Sequence, residues 1–473
     1  MVRRLLIAAT LGGALVATGC SSSTGDPDLT PAGPTSSSTS PSTSTTTSPA
    51  PSTTTSTTTT LPPTTTTTTF PPREVAVTVQ PEGASLAVSD VDGEVHAGSG
   101  PFVGSVAGPV DLEAAADGYE TETVILGTDQ IGFDFWLDPT GQLVDKALEF
   151  DTGNAPKQVA FRPGHDEIWV TLLGGAGFEV YDPVTGHQLA AVELPKAGSV
   201  EVIFNRSGSL AYLSQMETAS VYEVDAETKE VVRVMPTTGV WTKVMVLSPD
   251  EQTLWASNWV SNDVSEIDLA TGEVRRKLPT VATPRGLYVT PDGAKLYVAG
   301  FRDGEIQVFD LADGSSRVLY RSGGAMRHLV GNQDGSLLYA SDMGRALTLV
   351  VDTATDEVSP LATVDRNPNT IDLSPDGKVL FVSNRGRNNP QTYYIKGPEW
   401  GTVAVIDTAT GAYLDAIVGG NQTTGLDVSP DGTLLAYSDF LDDRVVVYRI
   451  PAYDDLAAGG GGRWDVHLTE KVK

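Results

Sequence analysis

Four basic residues, Lys157, Lys243, Arg285 and Arg327, each stand five residues before a copy of a recurring turn motif. The equivalent positions of the other copies hold Val200, Asn369 and Thr424. The chain carries 31 basic against 60 acidic residues, a net charge of −29, so cations repeated at one structural position oppose the sign of the whole. Side chains placed this way converge where the repeats converge, and their chemistry is capture of an anion through charge-assisted hydrogen bonds. The plainer use of the same residues is to bond loop carbonyls around a solvated funnel. His328, beside Arg327, is the one histidine placed near this mouth and is a weak candidate for general acid or base work; local packing is its ordinary role.

A second group lies in the loops expected on the same face: Trp259, Phe301, Met343 and Phe440. One repeat holds 13 extra residues between Asn384 and Thr402, where Arg385, Arg387, Tyr393, Tyr394, Lys396 and Trp400 face a single acid, Glu399. Basic residues interleaved with aromatics are typical of recognition surfaces, although a long loop packed down by its own aromatics has the same composition. The sequence holds no Gly-x-Ser-x-Gly elbow, no His-Glu-x-x-His pair and no phosphate-binding loop, so no catalytic residue is assigned beyond the weak case of His328. Isolated Asp-Gly turns supply too few oxygens for calcium. No metal and no cofactor is expected.

The elements that must position these residues form an internal repeat. The turn motif reads Ser248-Pro-Asp-Glu251, Thr290-Pro-Asp-Gly293, Asn332-Gln-Asp-Gly335, Ser374-Pro-Asp-Gly377 and Ser429-Pro-Asp-Gly432, with degenerate copies at 162–165 and 205–208. Its last positions are 43, 43, 42, 42, 42 and 55 residues apart, the length of one four-stranded propeller blade. Each copy continues into a strand such as Tyr297-Val-Ala-Gly300 or Phe381-Val-Ser-Asn384. These tetrapeptides resemble the repeats of the YVTN, or YncE-like, propeller family over about residues 137 to 453, which implies an all-β, seven-bladed propeller. The last blade lacks the Asp-x-x-Thr-Gly turn found at 268–272 and 407–411, whereas an orphan copy stands at Asp138-Pro-Thr-Gly141. An N-terminal outer strand at 142–150 is therefore expected to close the ring within a propeller spanning 138–453. Residues 454–473, with four consecutive glycines, read as a flexible tail.

Ahead of the repeats, residues 73–137 alternate as short strands and contain Pro81-Glu82-Gly83-Ala84. This stretch resembles a PEGA domain, which implies a small β-sandwich serving as binding or spacer module. Residues 21–72 hold 33 Ser or Thr and ten Pro, so the 20–72 segment is expected to be a disordered stalk. Arg3 and Arg4, the apolar run Leu5–Val16 and small residues up to Gly19 have the layout of an export signal at 1–19. Val16 to Cys20 resembles a lipoprotein lipobox, which implies acylation of Cys20, the sole cysteine, and membrane anchoring outside the bacterial cytoplasm.

The acidic charge excludes nucleic acid as a partner. The expected function is that of a non-enzymatic, monomeric envelope lipoprotein that uses its propeller as a recognition or scaffold disc for an envelope protein or an anionic ligand. The alternative is a lactonase- or lyase-type propeller enzyme acting on an anionic small molecule at the channel mouth.

Overall fold

The computed structural model describes residues 70–473; the expectations for the signal, Cys20 and nearly all of the stalk lie outside the described residues. The described chain is almost entirely β. Its first part pairs a three-stranded sheet, with Pro72–Gln80 between Phe102–Ala107 and Gly132–Trp136, and a four-stranded sheet ordered Gly93–Ser99, Ser85–Asp90, Val110–Ala115, Glu122–Leu126. Strict alternation drives this packing: Val75, Val77 and Val79 point into a core shared with Leu86, Val88 and Leu112, while the residues between them face solvent. Two strands here, Gly93–Ser99 and Phe102–Ala107, were not evident as strands from the sequence. The first has no buried residue, and in the second Phe102 folds over Gly104, where a Cβ would lie 2.6 Å from the ring.

Residues 145–449 form seven four-stranded sheets in a propeller-like array. Their innermost strands are Pro156–Phe161, Ser199–Phe204, Thr242–Leu247, Pro284–Val289, Met326–Gly331, Pro368–Leu373 and Thr423–Val428. Each packs against the next, and the last returns to the first. Aromatic residues opening the second strands, such as Trp169, Tyr297, Tyr339 and Phe381, are fully buried within and between these sheets.

Carboxyl groups fasten the last sheets to the first. Asp372 Oδ2 accepts from Val428 N at 2.9 Å, and Asp427 Oδ2 from Phe161 N at 2.7 Å. Burial pushes the Asp372 carboxyl up to about 6 and, with the charge of Asp372 next to it, raises Asp427 well above the usual range. Asp145–Asp151 pairs antiparallel with Arg444–Arg449, which makes an N-terminal segment the outer strand of the final sheet.

The turn chemistry explains the repeat. In Ser-Pro-Asp-Gly the first hydroxyl bonds the Asp carboxylate, as in Thr290 to Asp292 at 2.6 Å, and the fourth residue adopts a left-handed backbone, with Gly293 at φ 71°. Glu251 takes the same conformation, φ 57°, where its copy of the motif lacks glycine.

The expected flexible tail at 454–473 is corrected: it is two short helices, α1 (Tyr453–Ala458) and α2 (Trp464–Glu470), joined by the glycines. Leu456 is buried in the core of the last sheets, the Trp464 ring stacks on Tyr413 at 3.5 Å, and His467 is fully buried. His467 Nε2 lies 2.8 Å from Asp365 Oδ2, and Lys471 pairs with the other oxygen. Although burial pushes the Asp365 carboxyl up, these two partners hold it down to about 2. The glycines give the bend that brings both helices onto one sheet rather than a loose end.

Candidate functional site

Up to three devices aim the same residue position in the inner strands; Arg327 has only the bulge. Two residues earlier the chain turns through a left-handed conformation: Ala155 (φ 55°), Trp241 (φ 61°), Thr283 (φ 54°), Asn367 (φ 59°) and Gln422 (φ 64°). Such a conformation costs a non-glycine residue roughly 1–3 kcal/mol and persists where the surroundings enforce it. The position itself falls in a β-bulge in every inner strand, for example between Thr242 and Met245 and between Pro284 and Leu287. A bulge re-aims a side chain out of the ladder. Finally, the hydroxyl in the second strand of one sheet bonds the carbonyl of this position in the next: Thr171 to Val200 (3.1 Å), Ser257 to Arg285 (3.0 Å), Ser341 to Asn369 (2.8 Å) and Ser383 to Thr424 (2.7 Å). The Ser/Thr of the recurring tetrapeptide is thus a positioning residue for the neighbouring sheet.

The result is a cavity of about 340 Å³ lined by Lys157, Lys243, Arg285 and Arg327, together with Arg385 from the insertion. Trp259, Phe301, Met343 and Phe440 line it as well, with Tyr393. The sequence therefore named most of the wall. Arg387, Tyr394, Lys396 and Trp400 are not brought into it. Arg387 pairs with Glu399 at 3.3 Å, Lys396 with Asp442 at 2.8 Å, and the Trp400 ring lies under Lys473 Nζ at 4.2 Å. The Tyr394 ring packs tilted against Tyr393 at 4.1 Å and stays 56% exposed.

The cations in the cavity differ from those outside it. Lys157, Arg285, Arg327 and Arg385 are only 6% to 8% exposed, yet neither they nor Lys243 form an ion pair among the described residues. Arg327 Nε donates to Asn369 Oδ1, Lys243 Nζ rests on Met216 Sδ at 2.6 Å, and Arg385 Nε is buried without an acceptor. Aromatic faces serve as the neighbours: Lys243 stands 5.3 Å from the Trp259 ring, Arg285 5.8 Å from the same ring, and Arg385 5.1 Å from Tyr393. Burial, then mutual repulsion with Arg285 and Arg327, pulls the Lys157 and Lys243 ammonium groups well below their ordinary range. Burial also lowers Arg285 and Arg385 to about 10. An anion placed among them would relieve both penalties at once.

Three residues gain or lose significance here. Glu201, adjacent to the Val200 position and 7% exposed, was not evident from the sequence; burial lifts its carboxyl to about 7, against the pull of Arg285, Lys157 and Arg327. His328 is driven down to about 3, by burial first and then by Arg285 and Arg327, so its imidazole is neutral at physiological pH. Trp241, 43% exposed, also lines the mouth and was missed. Its only sequence signal is its place two residues before Lys243, which repeats an equivalence visible only once the left-handed turns are known.

The comparisons agree with the architecture. A family model described as YNCE-like beta-propeller matches residues 237–424. Antigen Lp49 of Leptospira interrogans serogroup Icterohaemorrhagiae serovar copenhageni (strain Fiocruz L1-130) is 36% identical over 313 residues, which cover 63% of this chain and 68% of the antigen. Among solved structures, Kuenenia stuttgartiensis Hydrazine Synthase superposes with a TM-score of 0.56 at 18% identity, over 64% of this chain and 97% of that one, a likeness of fold alone. With that identity extending through more than two thirds of a relative, and the propeller model matching within the sheets just described, this chain belongs to the YncE-like β-propeller family.

Proposed function

We propose that this chain is a non-enzymatic, lipid-anchored protein of the bacterial envelope whose seven-bladed propeller is a recognition disc for an anionic ligand. The observation that carries the reading is the set of five cations held around one mouth with no ion-pair partner among the described residues, in a chain of net charge −29. Burying unpaired charge is costly and persists where a ligand supplies the missing partner. On this reading the PEGA-like sandwich is a spacer, and the Ser/Thr/Pro stalk lifts the disc off the membrane. Likeness to a protein described as an antigen supports an address outside the cytoplasm.

Citrate serves as a probe. At low ionic strength it should raise the melting temperature of the protein by mass action. The double substitution Arg285→Ala, Arg327→Ala should abolish that rise. Lys295→Ala should keep it, because Lys295 bonds Asp356 and the Thr353 carbonyl away from the cavity. Added salt should weaken the effect, since the Debye length falls to ~3 Å at 1 M. A rise that survives the double substitution would show that the ring is scaffold only. The anchor is tested separately: Cys20→Ala should abolish labelling with a radioactive fatty acid and release the protein from membranes, and retained labelling refutes it.

A further inference from the structure

The same mouth carries information about the shape of its ligand. Resting on the anion-binding reading above, we propose that the occupant is a small aromatic polycarboxylate, a flat ring bearing two or more carboxylates. Three observations converge on that class.

Size comes first. A cavity of about 340 Å³ lies at the lower end of the ~300–1,000 Å³ typical of small-molecule sites, so it encloses a compact molecule and not a folded partner. Charge comes second. The five cations arise from four different inner strands and from the insertion, so they approach from separate directions around the mouth. One carboxylate has about four lone-pair sites, two of them taken by a bidentate guanidinium, and a single negative charge, which cannot offset five cations spread around the mouth. Several acidic groups spread around a rigid frame meet this demand; a single one does not.

The walls supply the third. Trp259 and Phe301 pack with ring centroids 4.9 Å apart, and Tyr393 and Phe440 flank Arg385 at 5.1 and 5.9 Å, so aromatic surfaces alternate with cations around the cavity. A flexible aliphatic polyanion would put its charges in reach but leave the half-buried Trp259 and Phe301 rings without a flat partner. A flat aromatic frame stacks on them, offers its edge carboxylates to the guanidinium forks, and loses little conformational freedom on binding.

Isothermal titration of the full chain with three probes tests this. Benzene-1,3,5-tricarboxylate should bind about tenfold tighter than propane-1,2,3-tricarboxylate, which has the same number of carboxylates without the ring, and more than tenfold tighter than benzoate, which has the ring with one. Trp259→Leu should bring the aromatic tricarboxylate down to the level of the aliphatic one and leave the latter within about twofold. Equal affinity for the two tricarboxylates, or benzoate binding as tightly as either, overturns the proposal while leaving anion recognition standing, provided Arg285→Ala, Arg327→Ala abolishes that binding. Failure of every probe to bind overturns both. The comparison of probes on the unsubstituted chain decides the matter even if the Trp259 variant does not fold.

Discussion

A chain beginning at Gly153 should aggregate, or melt on the order of 10 °C below one beginning at Asp138, although the two differ by only a short segment. Both lack the N-terminal sandwich, so the comparison isolates the strand Asp145–Asp151. That strand pairs along the whole of Arg444–Arg449. The segment also buries Val144 completely and Phe150 to 9% exposure, each worth roughly 1.5–3 kcal/mol, against a total stability of about 5–15 kcal/mol. Two backbone N–H groups, of Leu143 and Val144, donate to Asp415 Oδ2 at 2.7 and 3.1 Å, and Glu149 accepts from Arg444 at 3.0 Å. Without the segment, Val445-Val-Val-Tyr448 becomes an open apolar edge with high strand propensity, a template for intermolecular pairing. The measurement is thermal unfolding with light scattering on the two truncated chains. Equal melting of soluble monomers would mean that the ring does not depend on its N-terminal strand.

The reasons why some of this was legible in the sequence and some was not are physical. Turns that need a fixed hydrogen-bonding side chain and a left-handed residue leave a compositional record, which is why the repeat from Ser248 to Gly432 reads so clearly. The inner-strand cations are read through the same period, because Lys157, Lys243, Arg285 and Arg327 keep a constant distance from those turns. Pairing across the fold leaves no such record. Nothing local to Lys396 says that Asp442 will neutralise it, whereas Arg385, close by in the chain, lies in the cavity with no ion pair among the described residues. The tail shows the same limit, since four glycines read as looseness until Leu456 and Asp407 are seen to hold α1, and Asp365, Asp415 and Tyr413 to hold α2. Glu201 shows it once more: in sequence it is one acid among 60, and only the bulge beside it places it among cations.

If the ring exists for a ligand, it should cost the empty protein stability, and that gives the second large effect. Arg285 is 6% exposed, has no ion pair among the described residues, and lays its guanidinium near the Trp259 ring at 5.8 Å. Arg285→Met keeps most of the apolar stem, removes a desolvated charge, and ends its repulsion of Lys157, Lys243 and Arg327. Replacing buried charge by apolar groups of similar volume is often stabilising by ~1–4 kcal/mol. The variant should therefore unfold at higher denaturant concentration than the unsubstituted protein when no anion is present, while losing the stabilisation that citrate confers. Arg444→Met is the contrast. Arg444 pairs at 2.9 Å with Asp439, which is fully buried, and at 3.0 Å with Glu149. Its removal strands a buried carboxylate and should destabilise by about 3–5 kcal/mol. Denaturant unfolding of the two variants, with and without citrate, measures the difference. A ligand-binding arginine and a structural arginine then move stability in opposite directions; if Arg285→Met destabilises as Arg444→Met does, Arg285 is part of the scaffold and the cavity is not built around an anion.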